Sequence, residues 1–343
     1  YLSTQLEADS TFIPITSIIG MMQYNQLIDN NHTFDTPEVG GLVWGALSPY
    51  LKGKNRIFFS ADGCFNRIGI EYLQYNGKPI SEQFEVYRLS STKELCYKHT
   101  HTPPSIAMLF GDINYNMDAT LSESTRHSLT AMRGSGSSSN VIALDNLDNT
   151  KREVDEINST LKATGTIIST VLRNTEASKE AFLALSESKV NIIHIASHGI
   201  YRKNDKATDA QSMDNSLIAF AGANLDEDGS VSFVTASEIA SMNLRHCDLV
   251  VLSACESGLG KMGDDGVYGL QRGFKNAGVQ TLLMSLKNVY DNSTADMMIR
   301  FYHHLMNGSS KREALVKAQQ DIRSMGYTDA DHWTTFILLD ALD

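Results

Sequence analysis

From residue 150 onward, short apolar runs alternate with segments of helical period, and this alternation limits what the chain can become. Val190–Ser197, Asp248–Ser253 and Val279–Leu286 are apolar runs of strand length bounded by polar or glycine-bearing stretches. Between them, apolar residues recur at three- and four-residue spacing, as in Val154, Ile157 and Leu161, or Val267, Leu270 and Phe274. Strands of uniformly apolar residues separated by amphipathic helices bury both faces of a mostly parallel sheet. The expected class is therefore α/β, with helices on both faces.

Local signals place the elements. Thr150-Lys-Arg-Glu153, Thr235-Ala-Ser-Glu238 and Ser310-Lys-Arg-Glu313 read as capping boxes that open helices. A helix is expected over 266–277, stopped by Gly278, another over 293–306, and a last strand over Thr334–Leu339. A strand is also expected at Leu217–Phe220, within an otherwise long polar stretch. In the first hundred residues, 15–28 and 38–51 look helical, and Arg56–Ser60 reads as a short buried strand before the turn Ala61-Asp-Gly63. Asn76-Gly77 is a hairpin signal, 84–89 alternates like a strand, and Ser105–Phe110 is an apolar run that ends in Gly111-Asp112. Residues 133–140 are low-complexity Gly and Ser, read as a surface loop or a site of proteolytic processing. The expected division is an N-terminal subdomain at 1–114, a linker or loop at 115–149, and a second subdomain at 150–343.

Bulk numbers exclude several functions. The 343-residue chain carries a net charge of −11, which argues against sequence-independent nucleic-acid binding. Four irregularly spaced cysteines do not make a disulfide framework, so a reducing, cytoplasmic setting is expected. No apolar run reaches the roughly 20 residues that span a bilayer, and no membrane association is expected. The chain begins at Tyr1 rather than Met, as a segment excised from a longer protein would.

Chemistry concentrates where two strands end. Asn191-Ile-Ile-His-Ile-Ala-Ser-His198-Gly199 and Asp248-Leu-Val-Val-Leu-Ser-Ala-Cys255-Glu-Ser-Gly258 each run from an apolar strand into a reactive side chain and then glycine. In open α/β sheets, sites form at the carboxyl ends of strands. If these two strands are neighbours, His198 and Cys255 face each other across one strand spacing. A cysteine thiol has a pKa of about 8.5, so a nearby imidazole must take its proton to make it a good nucleophile at neutral pH. The same imidazole can then protonate a leaving amine. Gly199 and Gly258 let a peptide approach the backbone, and the amides of Gly199 and Cys255 are the candidate oxyanion donors.

Further blocks support a wider resemblance. They are Asp265-Gly-Val-Tyr-Gly-Leu-Gln-Arg-Gly-Phe274, Ala277-Gly-Val-Gln280, Phe301-Tyr-His-His-Leu305, Glu313-Ala-Leu-Val-Lys-Ala-Gln319 and His332-Trp-Thr-Thr-Phe-Ile-Leu-Leu339. Weaker matches lie at Arg56–Ile68, Leu109–Asp112 and Thr150–Leu161. With the His198 and Cys255 segments, these blocks resemble the CHAT domain, a caspase-type cysteine peptidase domain often joined to tetratricopeptide repeats. In caspases the histidine precedes the cysteine motif by about 50 residues, close to the spacing here. The resemblance implies a caspase-like fold whose N-terminal third is a smaller, degenerate half, with separase as a more distant relative. It implies His198 and Cys255 as catalytic dyad, no cofactor and no metal, and hydrolysis of a protein substrate. In some relatives that substrate is a gasdermin-type pore former in bacterial antiviral defence, and a fused or separate repeat-bearing sensor region controls activity. Asp265 departs from the family, many members of which carry Glu there.

Other residues carry two readings. Asp264 and Asp265 could line a pocket for a basic P1 side chain, or anchor the loop and cap the helix after it. Glu256 beside the thiol would raise its pKa unless it faces solvent. His194 reads as core, as does the face Met297, Met298, Phe301 and Leu305, and Cys64 and Cys96 read as structural. A zinc set of His194, His198, Cys247 and Cys255 fits no common ligand spacing. Beside the regulated endopeptidase stand two alternatives: a non-catalytic interaction module of the same fold, and a thiol hydrolase or transferase acting on a small molecule. The stretch 256–266 is the expected mobile element, and weak basal activity is expected of this chain alone.

Overall fold

The computed structural model describes residues 37–97, 103–116, 144–202, 206–225, 231–255, 257–263 and 266–342. The expected helix at 15–28 and the low-complexity stretch 133–140 lie outside them. Residues 38–51 are helical, as α1 (Pro37–Gly40), a π-helical turn (Gly41–Gly45) and α2 (Ala46–Leu51). Strand β1 (Arg56–Ser60) follows, then the hairpin β2 (Gln74–Tyr75) and β3 (Lys78–Pro79), turned by Asn76 and Gly77, both at positive φ. Next come β4 (Glu85–Leu89), β5 (Ile106–Ile113), α3 (Asn149–Ala163), β6 (Ile168–Asn174), α4 (Lys179–Leu183) and β7 (Ile192–Ala196). After β7 lie β8 (Gly199–Tyr201), α5 (Asp209–Met213), β9 (Ser216–Ala219), β10 (Phe233–Thr235), α6 (Ala236–Ala240) and β11 (Leu249–Ser253). The chain ends with β12 (Gly260–Gly263), β13 (Gly266–Gly269), α7 (Leu270–Ala277), β14 (Thr281–Ser285), α8 (Asp291–Met306), α9 (Lys311–Ser324) and β15 (Phe336–Leu339).

Eight strands form one sheet in the order β1-β4-β15-β14-β11-β7-β5-β6. Only β14 and β15 pair antiparallel, so the sheet is two parallel blocks joined back to back, one of five strands and one of three. Strands from before residue 114 and after residue 150 share it. β7, β11, β14 and β15 are buried at every position, as a sheet covered on both faces requires.

The two covering layers can be read from adjacent residues of β5, since successive side chains of a strand point to opposite faces. Phe110 meets the rings of Phe182 and Phe220, and Phe182 in turn meets Phe274 of α7. Each of these buried rings contributes roughly 2 kcal/mol by leaving water. Gly111 faces the other way, where an added Cβ would lie 2.5 Å from Val154 of α3. On that side α3 packs on α8, and α8 on α9. Met297, Met298 and Phe301 are fully buried there, whereas Leu305 at the end of the same face is only partly so.

Four local expectations are corrected. Arg56–Ser60 is the edge strand, with alternate residues exposed, because its apolar Ile-Phe-Phe run meets only β4. Gly111-Asp112 continues β5 through an irregularity rather than ending it, and marks where α3 docks. Thr150 and Glu153 form no capping box. The Thr150 hydroxyl donates to Leu147 O and accepts from Asp112 N–H, and the Glu153 carboxylate turns into the core. Residues 266–269 form β13, paired with β12, so the helix starts only at Leu270. The boxes at Thr235/Glu238 and Ser310/Glu313 are present. No helix among the described residues is long and apolar enough to cross a membrane.

Candidate active site

Strand β7 lies between β5 and β11, and the chain leaves β5 first to one side and later to the other. Such a reversal opens a crevice at the carboxyl ends of the strands. Ala196 of β7 pairs with Ser253 of β11 in parallel register, so two residues further on His198 and Cys255 emerge side by side. Neighbouring strands are about 4.8 Å apart. The backbones stay that close beyond the sheet: a Cβ on Gly199 would lie 2.4 Å from the Cys255 carbonyl oxygen. Only glycine fits there.

The Gly199 amide is directed by the small sheet of β8, β9 and β10. Ala219 N–H donates to His198 O, and Arg202 N–H donates to Asn215 O. Hydrogen-bonded and non-bonded pairs alternate along an antiparallel ladder. Gly199, opposite Ile218, is therefore a non-bonded pair member, with its N–H turned away from β9. Gly258 differs. Its N–H donates to Ser285 O at 2.7 Å, so it supports the turn rather than facing a ligand.

His198 is half-buried, and its Nε2 lies 2.8 Å from the Asp145 carbonyl oxygen. A carbonyl can only accept, so Nε2 carries the hydrogen and the neutral ring keeps its lone pair on Nδ1. Tyr115, just beyond β5, packs its ring against the imidazole with centroids 5.1 Å apart. Its hydroxyl meets Ser197 Oγ at 3.1 Å, and the Ser197 hydroxyl donates to Ala219 O. Tyr115 thus donates to Ser197, and burial pushes its pKa up to about 12.

Cys255 is half-buried and forms no disulfide. Cys247 is fully buried before β11, its thiol facing Asn191 O and Leu249 O, and burial raises its pKa strongly. Cys96 is exposed at the end of the 3-10 segment Thr92–Cys96. Cys247 therefore stands at the opposite end of β11 from Cys255, roughly 26 Å away along an extended chain, and does not converge with His198 and Cys255. His194 is core, as expected, and its Nε2 contacts Glu153 Oε1 at 2.9 Å.

Several supports escaped the sequence reading. Ser285, at the end of β14, donates to Ala254 O, and its Oγ accepts from Ser257 N–H at 3.2 Å. Ser257 Oγ accepts from Ser285 N–H at 2.9 Å. This pair of buried serines ties the turn that carries Cys255 to the next strand. Lys261 of β12 donates to Ala207 O at 2.6 Å and pairs with Asp209 at 3.0 Å, joining the segment after Cys255 to the segment after His198. Their partners are distant in sequence, so no local pattern announces them. Glu256, Asp264 and Asp265 lie outside the described residues.

The family model of the CHAT domain matches residues 40–340. Tetratricopeptide repeat protein 28 of Homo sapiens is 31% identical over 107 residues, which make up 31% of this chain and 4% of that protein. Among solved structures, the Arg-specific cysteine proteinase gingipain R aligns with a TM-score of 0.53 and 8% identity, over 87% of this chain and 66% of that one. The Saccharomyces cerevisiae separase–securin complex aligns with a TM-score of 0.46 and 12% identity, over 82% of this chain and 15% of the other. The chain thus spans a small fraction of the repeat protein and about two thirds of gingipain R. The fold is caspase-like.

Proposed function

The chain belongs to the CHAT domain family, and from that premise we propose that it is a regulated cysteine endopeptidase with Cys255 as nucleophile and His198 as base. One observation supports the reading: His198 Nε2 meets the Asp145 carbonyl, so the lone pair of the neutral ring is on Nδ1, and the residue itself follows a strand paired with the one that leads to Cys255. Nδ1 takes the Cys255 proton as sulfur attacks the peptide carbonyl carbon. The carbonyl oxygen becomes an oxyanion, which the amides of Gly199 and Cys255 stabilise. Collapse breaks the C–N bond, and the imidazolium returns the proton to the leaving amine. A water, deprotonated by the same nitrogen, then hydrolyses the thioester and regenerates the thiol.

The proposed substrate is a protein, for which a gasdermin-type pore former in bacterial defence is a candidate. Asp264 and Asp265 would favour a basic P1 residue. Control by a repeat-bearing region is consistent with a relative whose name records tetratricopeptide repeats. The test is incubation with a peptide library, with and without such a region, beside Cys255→Ala. Covalent capture at Cys255 by a peptide chloromethyl ketone would report P1 preference. Cleavage abolished by Cys255→Ala supports the reading. No cleavage under any activating condition, or equal cleavage by the variant, leaves the non-catalytic interaction module in its place.

A further inference from the structure

The carbonyl that orients His198 belongs to Asp145, whose own side chain is exposed. Something else must hold this segment. On the far side, Thr150 N–H and its hydroxyl both donate to Leu147 O, which anchors the segment to the start of α3. On the near side, the anchor is Asn224, in the 3-10 turn Ala223–Leu225 that follows β9.

Asn224 is 6% exposed, and its side-chain amide pairs with the Leu144 peptide in both directions. Leu144 N–H donates to Asn224 Oδ1 at 2.8 Å, and Asn224 Nδ2 donates to Leu144 O at 2.9 Å. The orientation of the amide is not ambiguous, because flipping it would face N–H with NH2 and carbonyl with carbonyl. The second Nδ2 hydrogen goes to Asn116 Oδ1 at 3.0 Å, and the Asn224 backbone N–H goes to Tyr115 O at 2.8 Å. One residue therefore grips both the stretch after β5 and the stretch before α3, and these carry two groups that touch the His198 ring: Tyr115 and the Asp145 carbonyl.

We propose that Asn224 is a positioning residue for His198, which holds the Asp145 carbonyl on Nε2–H and thereby keeps the basic lone pair on Nδ1. The inference rests on the reading of His198 as base. It concerns the ring's tautomer, and so it can be tested without a substrate. Among the described residues, the grip uses Asn116, Tyr115 and Leu144, which flank residues 117–143 in sequence.

The experiment labels histidine with 15N and reads long-range proton–nitrogen correlations, assigning His198 by its loss in His198→Asn. The wild-type ring is expected to show a protonated Nε2 and a pyridine-like Nδ1 at neutral pH. Asn224→Ala is expected to give a mixture of tautomers, and a roughly tenfold slower alkylation of Cys255 by iodoacetamide at pH 7. Asn224→Asp keeps the acceptor for Leu144 N–H and loses both donors, and should shift the signature in the same direction. Amide exchange in the wild type adds a reading independent of variant folding, in which the Leu144 N–H should be strongly protected. A protonated Nδ1 in the wild type, an unchanged His198 signature in either folded variant, or rapid exchange at Leu144 would overturn the proposal. Should the signature shift as expected while no peptide is cleaved, the positioning role stands and the peptidase reading falls.

Discussion

Glu153 Oε1 and His194 Nε2 lie 2.9 Å apart with side chains 1% and 0% exposed, and they stitch α3 to β7, the strand that leads to His198. Removing one member of a buried polar pair strands the other without water. Glu153→Ala is expected to cost about 3–5 kcal/mol of stability. Glu153→Gln keeps an acceptor for Nε2 and should cost about 1–2 kcal/mol. Urea midpoints of the two variants check this. Equal costs would show that the carboxylate itself, which both variants remove, and neither the side-chain volume nor the stranded His194 sets the penalty.

The close approach of Gly199 to Cys255 O makes a sharper prediction. A Cβ at 2.4 Å from a backbone atom forces either the His198 or the Cys255 segment to move. Gly199→Ala should lower peptide cleavage by about 100-fold, the scale of losing one oxyanion donor, with little change in the unfolding midpoint. Gly41→Ala meets nothing within 4 Å and serves as control. Wild-type turnover by Gly199→Ala would exclude this backbone contact from catalysis.

Apolar runs at 192–196 and 249–253 announce β7 and β11, because a strand buried on both faces tolerates a polar residue only where a partner satisfies it, as Glu153 does for His194. Given their adjacency, the shared offset of His198 and Cys255 follows by counting. Edge strands are harder to read. Arg56–Ser60 looks as apolar as a central strand, since Phe58 stacks on Tyr87 at 4.9 Å while remaining 40% exposed. Local motifs mislead when a distant partner competes. Thr150 and Glu153 have capping-box spacing, but Asp112 N–H and His194 claim them instead. The supports of the site at Ser285 and Asn224 have no local signature at all, because their bonds to it join residues far apart in sequence.

Ser285 offers a test of how the nucleophile turn is held. It is fully buried and links Ala254 O, Ser257 N–H and Ser257 Oγ. Ser285→Ala leaves these groups partly unsatisfied, at an expected cost of about 1–3 kcal/mol. The loss should be local. Amide exchange at Ser257 and Gly258 should speed up well before the core strands respond, and alkylation of Cys255 should become faster and less pH-dependent as the turn opens. Uniform acceleration across the sheet would instead mean that Ser285 supports the fold globally.

Alkaline stability should report Tyr115. Burial raises its pKa from the ordinary 10 to about 12, while the hydrogen bond with Ser197 pulls the other way. A raised folded-state value means that folding favours the protonated phenol. The contribution is complete below pH 10 and is lost as pH rises towards 12, because the unfolded chain releases this proton first. Two pKa units correspond to about 3 kcal/mol across that window. Tyr302 and Tyr72 are fully buried and shifted in the same direction, so the wild-type protein should lose stability steeply above pH 10. Tyr115→Phe should lose about 1 kcal/mol at pH 8 through the hydrogen bond to Ser197, yet fall less steeply between pH 10 and 12. Urea midpoints at pH 8, 10 and 11 measure both slopes. Parallel slopes would place the Tyr115 hydroxyl in contact with solvent, and its ring would then no longer be the fixed wall against which His198 packs.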